Sequence, residues 1–221
     1  MSFKEKVAIV TGMFSSDDCV YFQIQVQAPT TTDLLKKLNI PDSRVLVVQG
    51  AIEEEQTQKR LIDETVKKFG RLNILVNNAA VSYRDDLVPN SLDYVMSVNL
   101  RSLIALTRMA IPYLAETKGN VVNVSSAGSQ RVSPISQPPG FIETIFRSRH
   151  EMSDAKKKSI EKFIEHTLKN DVPLQRGGSP HEAANVIVFL ASDKASYVTG
   201  ANYLVDGGYL TGAPRQKIDS K

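Results

Sequence analysis

Three groups of polar and small residues each follow a short apolar run, and their chemistry suits contact with a nucleotide. The groups are Thr11-Gly12, Asn77-Asn78-Ala79 and Ser125-Ser126. If the apolar runs are parallel strands of one sheet, their carboxyl ends meet at one edge, where such sheets bind ligands. The spacing therefore predicts a nucleotide site at that edge, on an argument of fold alone.

The elements that would position these groups alternate between strands and helices. Four apolar runs, at residues 7–10, 45–48, 74–76 and 121–124, are typical of strands buried on both faces. Helical patterns cover residues 53–69, followed by Gly70, and residues 91–117. Ser179-Pro180-His181-Glu182 predicts a capping box that opens a helix reaching Ala191. The alternation predicts an α/β fold with a parallel sheet covered on both faces, in a single domain spanning residues 1–221.

Composition excludes several classes of protein. The 221 residues are 42% apolar and 23% charged, with net charge +3, which indicates a globular domain. The densest basic cluster, at residues 156–158, has acidic neighbours, so we expect a solvated helix face and no nucleic-acid partner. Cys19 is the single cysteine, the N-terminal apolar run is too short for a leader or a membrane span, and no residue set predicts a metal site. We therefore expect a cytoplasmic protein that makes no membrane contact.

Six segments in order resemble the landmarks of the short-chain dehydrogenase/reductases, and most closely the branch of 3-oxoacyl carrier-protein reductases and glucose dehydrogenases. They are KVAIVTG, LNILVNNAA, VMSVNL, NVVNVSSAG, PPGFIET and FLASDKASYVTGANYLVDGGY. The resemblance implies a Rossmann-like doubly wound sheet, NAD or NADP as cofactor, and hydride transfer between a small-molecule alcohol and carbonyl. In this family a tyrosine moves the proton, and a lysine four residues later lowers the pKa of that tyrosine.

The resemblance also assigns roles to residues of this chain. Ser126 matches the serine that hydrogen-bonds the substrate oxygen, and Asn99 matches the helix asparagine that anchors a water. The matches to cofactor-binding positions are Thr11, Gly12, Asn78, Ala79, Ile142 and Thr144. Structural interpretations stay open beside these: Asn99 caps buried carbonyl groups, and Ser126 only ends a strand.

The phosphate-binding loop departs from the family pattern. A pyrophosphate needs glycines, which allow close approach of the backbone, and a following helix N-terminus. Here Gly12 is followed by Met13, Phe14, two serines and two aspartates. Residues 20–27 alternate with period two, which favours a strand over the family helix. Ala51 stands where the family has an acidic residue.

The catalytic pair is the second departure. At the family spacing from Ser126, the tyrosine would fall near Pro139 and the lysine near Glu143, and none of the seven tyrosines has a lysine four positions on. Only 13 residues separate Ser126 from Pro139, so we infer that the catalytic helix and the following strand have been lost and that the sheet is incomplete. The strand predicted at residues 203–206 then loses its neighbour. The resemblance implies that the missing helix forms much of the family's homo-oligomer interface together with the 91–117 helix. We therefore expect this interface to be disrupted and an apolar face of the helix to be uncovered.

Three interpretations follow. The chain is an oxidoreductase by descent with impaired or absent activity, a non-catalytic relative that acts as a binding protein, or a truncated splice or gene-model product without function. The sequence names neither the substrate nor the choice between NAD and NADP, because the segments that decide them are missing or unrecognisable.

Overall fold

The computed structural model of the chain describes residues 3–12, 39–81, 91–126, 142 and 154–212. These residues group into two compact units. The first comprises Met1–Val124 with Ala191–Lys194, and the second comprises Ser125–Leu190 with Ala195–Lys221. The single-domain assignment stays a prediction. Among the described residues, no helix has the length and apolarity needed to cross a membrane.

The sheet of the first unit has three parallel strands in the order β1-β2-β3. Its strands are β1 (Ala8–Val10), β2 (Ile74–Asn77) and β3 (Asn120–Asn123). Ile9 pairs with Leu75, and Leu75 pairs with Val121. Three of the four predicted strands are therefore confirmed, and their carboxyl ends meet at one edge.

The central strand is covered on both faces, as a doubly wound sheet requires. Leu75 joins the main core, which also contains Ile9 and Leu106. Ile74 and Val76 alternate to the opposite face and are only 3% and 4% exposed. A strand buried on both faces carries the continuous apolar run from which it was predicted.

The first helix, α1 (Glu55–Phe69), ends where the sequence predicts. Gly70 caps it in the left-handed conformation at φ 73°, where a side chain would be strained, and its N–H donates to the carbonyl of Val66. Leu61 and Ile62 bury the apolar face of the helix against the sheet.

The strand predicted at residues 45–48 is wrong. Val48 is buried, but no strand in the described part of the chain pairs with this segment. Side chains of α1 instead bind carbonyl groups of this segment and of the residue after it: Lys68 donates to the carbonyl oxygen of Val45, and Arg60 to that of Gln49. An apolar run becomes a strand only beside a hydrogen-bonded neighbour, which local sequence does not supply.

The predicted 91–117 helix is confirmed, with an irregularity in its middle. Two helices, α2 (Ser91–Met96) and α3 (Ser102–Thr117), are joined by a π-helical turn at Ser97–Arg101. Leu106, Ala110 and Leu114 pack into the core. Five large apolar side chains on the helix stay exposed, the first four at spacings of about one helical turn and the last about two turns further on. We call them the apolar stripe: Leu92, Met96, Leu100, Ile104 and Ile111.

The second unit contains the helix α4 (Asp154–Asn170) and the body of α5 (Pro180–Ala191). The predicted capping box is confirmed: the Ser179 N–H donates to the Glu182 carboxylate at 2.8 Å, and the Glu182 N–H donates to the Ser179 hydroxyl at 3.3 Å. The strand predicted at residues 203–206 is wrong, since this segment pairs with no strand among the described residues.

Candidate functional site at the carboxyl edge of the sheet

Thr11 joins the ends of β1 and β2. Its hydroxyl oxygen accepts hydrogen bonds from the N–H groups of Asn78 at 3.0 Å and Ala79 at 3.1 Å. In return the Asn78 side-chain amide donates to the Thr11 carbonyl oxygen at 3.0 Å. Thr11 is 2% exposed, so its role is to fix the main chain of Asn78 and Ala79 and not to contact a ligand itself.

Gly12 lies directly against Asn78. A Cβ at position 12 would come within 3.3 Å of the Asn78 side-chain nitrogen, which is tighter than ordinary packing. Four of the residues predicted to bind the cofactor are thus brought together by their own contacts, which is the convergence that the strand pattern predicts.

Two acceptor groups at this edge suit a ligand with hydroxyl groups. The side-chain oxygen of Asn78 and the carbonyl oxygen of Ala79 make no hydrogen bond within the described structure, and both residues are half-buried. Ribose hydroxyls are donors that such acceptors can bind. The residues present therefore fit the sugar of a nucleotide. The predicted phosphate loop at residues 13–18 lies outside the described residues, so this fit concerns the sugar alone.

Asn99 sits in the π-helical turn and clamps the chain that leaves the edge. Its side-chain nitrogen donates to the Val81 carbonyl oxygen, and its side-chain oxygen accepts from the Val81 N–H, both at 2.8 Å. This is the capping role that the sequence left open for it. Single π-helical turns often occur at functional sites, and here the turn carries a residue that supports the edge. The role of water anchor stays a prediction.

Asn77 belongs to one of the polar groups that the sequence places at this edge, but its buried contacts were not predicted. The Asn77 side-chain nitrogen donates to the Thr107 hydroxyl at 3.0 Å and to the Asn123 side-chain oxygen at 2.8 Å, which ties β2 to α3 and β3. The available signal was an asparagine at the end of the buried run of β2, because a buried polar side chain requires partners.

The remaining predicted site residues lie elsewhere. Ser126 is half-buried and belongs to the second unit. Ile142, in the same unit, forms an isolated parallel bridge with Gly178. Thr144 lies outside the described residues. The residues the structure describes contain no group of three or more side chains able to hold a metal ion.

Comparison with known proteins places this edge in a family. The family described as short chain dehydrogenase matches residues 7–137, and the one described as Enoyl-(Acyl carrier protein) reductase matches residues 138–210. The chain belongs to the short-chain dehydrogenase family, with its Rossmann-like NAD(P)-binding fold, and is an oxidoreductase by descent.

Individual relatives agree with this assignment. The 3-oxoacyl-[acyl-carrier-protein] reductase FabG of Thermotoga maritima is 30% identical, over 95% of this chain and all of that protein. The meso-2,3-butanediol dehydrogenase of Serratia marcescens is 25% identical, over 99% of this chain and all of that protein. A solved short-chain dehydrogenase/reductase of unknown function from Caenorhabditis elegans, with cofactor, is 25% identical. It has a TM-score of 0.68 and covers 81% of this chain and 80% of its own.

The alignment with the Thermotoga reductase extends over 259 positions, which exceeds the 221 residues of this chain by 38. At least 38 positions of that alignment therefore have no residue here. The two family matches meet between residues 137 and 138, inside the stretch where the sequence predicts a lost block.

Proposed function

We propose that this chain is an NAD(P)-dependent alcohol/carbonyl oxidoreductase by descent whose hydride-transfer activity is strongly impaired. The observation that carries the proposal is the absence, in all 221 residues, of any tyrosine followed four positions later by a lysine. The shortfall of at least 38 aligned positions against the Thermotoga reductase supports the loss of the segment that would carry them.

The residues that remain can perform part of the binding. The acceptor groups of Asn78 and Ala79 would hold the ribose of the cofactor, above the Thr11 hydroxyl that fixes their main chain. Ser126 would hydrogen-bond the substrate oxygen, as the family resemblance implies. The cofactor, when bound, supplies the hydride to the carbonyl carbon.

The proton is the missing part. Carbonyl reduction needs a proton on the same oxygen, and the motif holds no side chain that delivers one. General acid–base help is typically worth about 10²–10⁴-fold in rate. We therefore expect turnover at least that far below an intact relative, and lower still because no lysine holds the nicotinamide ribose.

Cofactor affinity is also expected to be weak. Met13, Phe14 and the two aspartates occupy the loop where a phosphate-binding family member has small residues. Side chains of this size block close approach of the backbone, and carboxylates repel a pyrophosphate. The edge is expected to bind the sugar end of NAD or NADP without the usual phosphate contacts.

The test combines binding with turnover. Purified protein is titrated with NADH and with NADPH by fluorescence, and absorbance loss is followed with a panel of aldehydes and ketones, with the Thermotoga reductase as the intact reference. Low-micromolar dissociation constants together with turnover near the reference would contradict the proposal.

Comparison of Ser126→Ala with the neighbouring variant Ser125→Ala shows whether any residual activity depends on the Ser126 hydroxyl. Loss in the first variant alone supports the inherited serine role. Equal activity in both variants would show that another residue contacts the substrate.

A further inference from the structure

We draw no further inference here: the strongest candidate, the cavity in the second unit that is lined by Leu174, Leu204 and Asp206, carries no proposal, because nothing in the described part of the chain shows what occupies or covers it.

Discussion

Replacing Thr11 by valine tests whether this residue holds the carboxyl edge together. Valine has nearly the shape of threonine and replaces the hydroxyl by a methyl group, which can accept no hydrogen bond. In the native structure that oxygen accepts the N–H groups of Asn78 and Ala79 at 3.0 and 3.1 Å and lies 3.4 Å from the Val76 carbonyl oxygen. The substitution leaves two main-chain donors without an acceptor, whereas the Val76 carbonyl still accepts the N–H of residue 11 at 3.0 Å.

The expected loss follows from the burial of those two donors. An orphaned buried donor costs about 1–3 kcal/mol. Asn78 and Ala79 are half-buried, so water reaches them in part and the lower figure applies to each. We expect the free energy of unfolding of Thr11→Val to fall by about 2 kcal/mol.

Urea unfolding followed by circular dichroism measures this loss, and the slope with denaturant should not change. Thr11→Ser is the matched control, because it keeps the hydroxyl and loses a methyl group worth about 1 kcal/mol. If Thr11→Val lies within about 0.5 kcal/mol of the wild type, or if serine is the more destabilising change, the hydroxyl does not hold the edge.

Three further predictions concern other contacts. Asn99→Asp keeps the oxygen that accepts the Val81 N–H but replaces the nitrogen that donates to the Val81 carbonyl. The free energy of unfolding, measured in urea, should therefore fall by about 1–2 kcal/mol. An unchanged midpoint would show that these two hydrogen bonds do not stabilise the fold. The hydrogen bonds from Arg176, followed by that from the Ser179 N–H, lower the pKa of Glu182 from 4.5 to about 2. Its contribution to stability is therefore present above about pH 4.5 and is lost as the pH falls toward 2. In that pH window the urea midpoint of Glu182→Gln should change less with pH than the midpoint of the wild type. Equal changes in the two proteins would contradict this prediction. Ile104→Glu places a charge in the apolar stripe and should reduce self-association in light scattering after size exclusion, whereas an unchanged mass would exclude the stripe as the contact.

Several features of the fold could be predicted from the sequence because each is decided within a few residues. The stop of α1 at Gly70 depends on one glycine, and the start of α5 depends on the reciprocal bonds of Ser179 and Glu182. The strand β2 was predicted from its own apolar run, since a strand buried on both faces carries such a run wherever it lies. The family resemblance could also be found from the sequence alone, because it rests on the order of six short segments along the chain.

Tertiary structure decided whatever depends on a neighbour distant in sequence. Residues 45–48 and 203–206 have strand-like composition, yet neither is a strand, because pairing needs an adjacent edge and not an apolar run alone. The family resemblance predicts that Asn99 anchors a water molecule. In the fold, the side-chain oxygen and nitrogen of Asn99 both hydrogen-bond to the main chain of Val81, 18 positions away in sequence. Hydrogen bonds formed across such separations have no local pattern, so the chain determined which residues converge at the edge and the fold determined which atoms they engage.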